Sequence, residues 1–157
     1  MQTNPETPDA LLQALLTAEA ASCVVRNGDT IRIFRRRGVL DLFTLLQEEP
    51  ALLSGAVVAD KVVGKGAAAL MILGGVRTLL AGRVSEAALA LLRDSAVEVH
   101  FEEAVPQIVN RDGTGCCPVE TLCRDCRTAG ECLPRIAQFV EEMQQKMQQK
   151  MQQKIKK

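Results

Sequence analysis

Five of the six cysteines fall within seventeen residues, Cys116 to Cys132, and the four from Cys117 onward follow the pattern C-x5-C-x2-C-x5-C. Thiolates are soft ligands, and four in one segment can hold a structural zinc ion or an iron–sulfur cluster. Cys117, Cys123, Cys126 and Cys132 are therefore the candidate metal ligands, with Cys116 as a spare. Only the central C-x-x-C is typical of such sites; the flanking spacings match no standard finger or ferredoxin. A disulfide framework would need an oxidising compartment. Reduced thiols that hold nothing are the plainest alternative.

Two polar segments carry the remaining chemistry. Asp60-Lys61-Val62-Val63-Gly64-Lys65-Gly66 is expected to join the carboxyl end of a strand to a helix start. Open α/β sheets bind ligands there, and the free amides of a helix start attract anions. Lys61 and Lys65 add positive charge, and Gly64 permits close backbone approach. The segment is not a Walker loop, because the second glycine and the following Ser or Thr are missing. A glycine turn beside two surface lysines is the alternative. The loop Asn110-Arg111-Asp112-Gly113-Thr114-Gly115 is polar and turn-rich. Arg111 can fork onto a carboxylate or phosphate, with Asn110 and Gly113 beside it, and Asp112 is a candidate base. Asp60 is a second candidate base. Cys117, directly after the loop, is a candidate nucleophile if those cations stabilise its thiolate.

One constellation is set aside. His100-Phe101-Glu102 with Cys123-Arg124-Asp125-Cys126 superficially matches the H-x-E and C-x-x-C of zinc deaminases. Here the His lies in an alternating strand pattern, and Leu122 rather than Pro precedes the cysteine pair.

Composition bounds the function. The chain has 157 residues, 47% of them apolar, with a formal net charge of zero. That describes one globular domain. There is no Trp or Tyr and only four Phe, so stacking platforms for nucleic acid are missing, and the neutral balance points the same way. No Lys or Arg precedes Arg26 and no apolar run approaches a membrane span, so a cytosolic protein without a charged leader is expected. The Arg35-Arg36-Arg37 run reads as a solvated strand end.

The elements that position these groups follow from periodicity and turn residues. A helix is expected from Thr7 to about Ala20, with Leu11, Leu12, Leu15 and Leu16 on one face. Asn27-Gly28-Asp29 sets a hairpin returning through Thr30–Phe34. A second helix spans Val39–Glu49 and stops at Pro50. Gly55–Ala59 reads as a buried strand, Ala67–Leu73 as a helix closed by Gly74-Gly75, and Val76–Val84 as a strand. Ser85 caps a helix reaching Asp94, and Val97–Glu102 is a further strand. Alternating strands and helices predict an α/β fold with a helix-covered sheet, made mixed by the hairpin. The main domain is read as 1–140, including the cysteine segment. Residues 141–157 repeat MQQK and form a helical tail, with Met143, Met147, Met151 and Ile155 on a drifting stripe. A homo-oligomer through this tail is one reading; a solvated extension is the other.

AVVADKVVGKGAAAL (56–70) and NRDGTGCCP (110–118) together resemble a bacterial family catalogued as domain of unknown function 1893. The resemblance spans roughly Cys23 to Ile136 and implies a cytidine-deaminase-like fold, a three-layer α/β/α sandwich. Residues matching the motif are Asp60, Lys61, Gly64, Lys65, Asn110, Arg111, Asp112, Gly113, Cys117 and Pro118. The deaminase superfamily carries its zinc ligands at the starts of its second and third core helices, and Gly64-Lys65-Gly66 and Val84-Ser85-Glu86 offer neither His nor Cys. A conventional zinc-dependent deaminase is not expected. Three functions remain, the first two being a domain binding a small anionic, nucleotide-like molecule where the Asp60–Gly66 and Asn110–Cys117 segments meet, and an iron–sulfur or zinc module on the cysteines. A scaffold acting through its tail is the third.

Overall fold

The computed structural model describes residues 20–36, 39–108 and 117–155, together with Ala14 and Thr17. Most of the expected opening helix, and the loop residues Asn110, Arg111, Asp112 and Gly113, lie outside them.

Strands β1 (Cys23–Asn27) and β2 (Thr30–Phe34) form a hairpin with Asn27 opposite Thr30. Gly28 has φ +60° at the first central position of the turn, the conformation a two-residue hairpin loop needs. The Asn27 side chain donates to the carbonyls of Ala51 (3.2 Å), Leu52 (3.0 Å) and Ser54 (2.8 Å). Helix α1 (Leu40–Glu48) turns Leu42 and Leu45 inward. Pro50 does more than stop it: it occupies the first turn of a second short helix, α2 (Pro50–Leu53), where its missing N–H costs nothing.

Strand β3 (Val57–Val63) leads into α3 (Lys65–Gly74), and β4 (Thr78–Ser85) into α4 (Glu86–Arg93). Gly75 closes α3 at φ +81°. Ser85 Oγ accepts the amide of Ala88 at 3.1 Å and so caps α4. Strand β5 (Glu98–Val105) is the exposed edge of the sheet. After the loop come α5 (Pro118–Leu122) and α6 (Ala129–Ile155). A reciprocal capping box starts α6: Thr128 Oγ1 accepts the Glu131 amide at 3.2 Å, and the Glu131 carboxylate accepts the Thr128 amide at 3.0 Å. From Glu141 to Gln153 this helix is exposed apart from half-buried Met143. No helix among the described residues is long and apolar enough to cross a membrane.

The sheet order is β2-β1-β3-β4-β5. Strand β1 runs antiparallel to both β2 and β3, while β3, β4 and β5 are parallel. This is an α/β fold with a mixed five-stranded sheet. Helix α3 lies at the centre of the helical face, with Leu53, Leu70, Met71, Leu79, Leu92 and Ile136 fully buried around it. Each such side chain contributes about 1.5–3 kcal/mol through burial. On the opposite face, Ala21, Val24, Val57, Ala59 and Leu80 form a second buried cluster.

Strand β3 runs further than its sequence suggests. Asp60 and Lys61, expected at the strand end, sit inside it, because pairing with β4 continues through Val62 opposite Arg83 and Val63 opposite Val84. The inward set changes parity here, from Val58 to Val63 in β3 and from Leu79 and Ala81 to Val84 in β4. The irregularity draws the backbones together at Gly82, where an added Cβ would lie 2.6 Å from the Lys61 carbonyl oxygen. Gly82→Ala is therefore expected to destabilise the protein by roughly 1–3 kcal/mol, as other overpacked positions do. Denaturant unfolding measures this, and an unchanged midpoint would refute the close approach.

Candidate functional site

The antiparallel register of β1 and β3 sets Cys23 directly across from Asp60. Both are buried, and the Cys23 thiol donates a hydrogen bond to the Asp60 carboxyl group. The Val62 amide donates to Asp60 Oδ1 at 3.2 Å. These bonds favour the carboxylate, yet burial outweighs them and raises the Asp60 pKa to about 7, from the ordinary 3.8. Burial, followed by the negative charges of Asp60 and Asp41, pushes the Cys23 thiol well above its usual value. Cys23 is thus a neutral thiol, and Asp60 is a carboxyl group that exchanges its proton near neutral pH.

The pair forms part of the wall of a cavity of about 690 Å³. Ser22 enters from just before β1, and Arg35 and Arg36 from just after β2; α1 and the residue before it add Val39, Leu40 and Asp41. Ile108, Cys117, Pro118 and Val119 enter from the ends of the loop and from α5, and Phe139, Val140 and Met143 from α6. The interior is mostly apolar, and Lys61, Arg35 and Arg36 supply cations. Arg36 pairs with Asp41 across the rim.

Of the residues singled out in the sequence, Asp60, Lys61 and Cys117 come together at this cavity. Lys65 points elsewhere. It is 7% exposed, and its Nζ donates to the carbonyls of Arg124 (3.2 Å) and Cys126. Gly64 sits in the β3–α3 turn as the residue preceding α3, packed near Ile108 and Glu120. The turn is structural on this geometry: with no side-chain cap at Gly64, the Lys65 amide is received by Glu120 Oε1 at 3.4 Å, while Glu120 Oε2 accepts the Ile108 amide at 2.7 Å. Asn110, Arg111, Asp112 and Gly113 fall outside the described residues.

The candidate metal ligands divide. Cys123, Cys126 and Cys132 are buried, and their sulfurs lie within 4.8 Å of one another. Burial raises the thiol pKa values of Cys123 and Cys132. Cys117 is not in this group; it is half-buried at the cavity. All five described cysteines are free thiols. His100 is exposed on β5 with its Nε2 3.1 Å from Glu98, and it joins no cluster of candidate ligands among the described residues.

Sequence reasoning missed Cys23, Arg36, Asp41 and the α6 residues Phe139 and Met143. The Arg35-Arg36 pair, read as a solvated strand end, lines the cavity. One signal was available: Asp60 and Lys61 place charges inside the otherwise apolar run Val57–Val63, where a core strand should be.

A family described as TM1506, domain of unknown function (DUF1893), matches residues 11–140. The chain belongs to the DUF1893 family. A crystal structure of a DUF1893 family protein (TM1506) from Thermotoga maritima superposes with a TM-score of 0.75 at 22% identity, covering 88% of this chain and 96% of that one. At that identity the likeness establishes a shared fold and no activity. No curated protein matches the chain.

The Asp60 environment predicts a pH signature. The unfolded carboxyl ionises near 3.8, whereas the folded one stays protonated to about 7. Between those values the folded state holds the extra proton, so this group's contribution to stability falls as pH rises, by up to about 4 kcal/mol. Asp60→Asn removes the proton. The melting temperature of the variant relative to the native protein is expected to be distinctly more favourable at pH 7.5 than at pH 4.5. An equal difference at both pH values would show that Asp60 titrates normally.

Proposed function

We propose that this DUF1893 protein binds a small anionic molecule with an apolar body in the Asp60 cavity, and that Asp60 exchanges a proton with it. The observation that carries the reading is a buried carboxyl group, with a pKa of about 7, on the wall of a 690 Å³ cavity. Maintaining a buried carboxyl group there costs stability at neutral pH, and such groups concentrate at functional sites. The apolar lining from Val39, Leu40, Ile108 and Phe139 suits the body of the ligand. Lys61 and Arg36 suit its charge, the guanidinium through a forked contact. A nucleotide-like ligand is one member of this class, and Phe139 is the aromatic side chain that meets the cavity among the described lining residues.

Within this reading Cys23 is a positioning residue that holds Asp60 through its hydrogen bond. The deaminase-like three-layer arrangement is part of the proposal, supported by buried clusters on both faces of the mixed sheet. Its zinc chemistry is not. The starts of α3 and α4 present Gly64-Lys65 and Ser85-Glu86, which lack the His and Cys ligands that a metal-bound hydroxide requires.

The test is thermal stabilisation by nucleoside monophosphates and by short aryl carboxylates. A ligand at a hundred times its dissociation constant adds about 2.7 kcal/mol, or roughly 5–10 °C for a chain of this size. The shift is expected to shrink when Lys61 and Arg36 are changed together to Ala, and to lose its pH dependence in Asp60→Asn. No stabilisation of the native protein by either ligand class would overturn the proposal.

A further inference from the structure

Away from the ligand cavity, two features of the α5–α6 turn point to the same chemistry. The first is the thiol cluster. Cys123 ends α5, Cys126 lies in the turn and Cys132 lies in the first turns of α6, and all three sulfurs fall within 4.8 Å of one another in a site buried from solvent. At a metal–sulfur distance of about 2.3 Å, sulfurs on one tetrahedral ion stand ~3.8 Å apart. A small contraction of this cluster reaches that separation. The spacing is compact for a multi-iron cluster, whose cysteines bind different irons.

The second feature is Lys65. Its ammonium is buried and donates only to carbonyls, those of Arg124 and Cys126, with no carboxylate within ion-pair distance among the described residues. Burying a charge without a counter-charge is costly. Asp125 of this turn is exposed and the Glu120 carboxylate is engaged by the Lys65 and Ile108 amides, so the further anionic groups the segment can place inside are the thiolates: the Lys65 charge already acts favourably on ionised Cys123, as does that of Arg135, which is held by a 2.7 Å bond to the Leu122 carbonyl. A metal–thiolate centre is negative. A divalent ion with three thiolates carries a net charge of −1, and a monovalent ion with three carries −2.

We propose that Cys123, Cys126 and Cys132 form a three-thiolate site for one soft closed-shell cation, zinc(II) or copper(I), with Lys65 as its buried counter-charge. Binding exchanges three S–H bonds for three metal–sulfur bonds and releases three protons, with no change in oxidation state. Cys117, separated from the trio and facing the ligand cavity, is not a ligand. The two ions share the same donor chemistry; they differ in that copper(I) is content with three ligands, whereas zinc takes a fourth from solvent or a partner group.

The test is titration of the reduced full-length chain with zinc(II), and separately with copper(I), each in competition with a chromophoric chelator. Without Trp or Tyr, thiolate-to-metal charge transfer in the ultraviolet reads directly. One ion per chain is expected from at least one of the two metals, and which of them binds more tightly identifies the cation. Cys117→Ser keeps that stoichiometry. Cys123→Ala, Cys126→Ala and Cys132→Ala each lose it while circular dichroism shows the fold retained. Lys65→Met is expected to weaken binding at least tenfold. Should a cysteine variant fail to fold, the native titration alone decides. Failure of the native protein to compete for either ion overturns the proposal, as does retention of the ion by all three folded alanine variants or its loss in Cys117→Ser. Ligand stabilisation at the Asp60 cavity is independent of every one of these outcomes.

Discussion

The burial of the first seven residues of helix α3 is the constraint on which the rest of the structure depends. From Lys65 to Met71 every residue is inside, so the helix has no wet side to satisfy its polar end. Small residues let neighbours approach closely: a Cβ on Gly66 would lie 2.3 Å from Val119 Cγ1, and one on Gly74 would lie 2.8 Å from Leu53. The unsatisfied amide at the helix start and the Lys65 ammonium must find acceptors inside the protein. They find them in the α5–α6 segment, in the Glu120 carboxylate and the carbonyls of Arg124 and Cys126. Helix α5 and the first turns of α6 are thereby fixed against α3, and docking them creates the thiol cluster and closes one side of the cavity together.

The docked segment carries the thiol cluster and lines part of the cavity, and at each desolvation raises the pKa of buried groups. At Asp60 burial defeats two hydrogen bonds that favour the charged form, leaving a carboxyl group poised near neutrality. At Cys123 and Cys132 burial holds the thiols protonated unless a cation replaces their protons. The Arg83–Glu103 pair is exposed and contributes little. Glu131 has its carboxyl group held below the usual range by the Arg127 amide and then by the Thr128 amide, which makes it part of a helix cap.

Much of the fold was legible because local rules decided it. Gly28 made the hairpin, Gly75 closed α3, Ser85 capped α4, and the alternation around His100 marked β5. Boundaries failed where tertiary pairing overrode local signals. Charged Asp60-Lys61 looked like a strand end, but β4 carried the ladder to Val63. Lys65 looked like a surface lysine beside a glycine turn, since nothing local records that α5 and α6 will cover it. In the candidate site, Asp60, Lys61 and Cys117 stood out as polar or reactive residues in suggestive places, whereas Cys23 did not, because its importance comes from a partner thirty-seven positions away.

By itself the sequence determined which elements form, their order, and the set of reactive groups available, because turns, caps and hydrophobic periods act over a few residues. Only the tertiary structure decided which of those groups meet. The antiparallel register of β1 on β3 placed a thiol against Asp60, and the docking of α5 and α6 on α3 separated Cys117 from the other three cysteines. Both depend on contacts between segments distant along the chain. Desolvation, which raises the pKa values of Cys23, Asp60, Cys123 and Cys132, exists only once those contacts have formed.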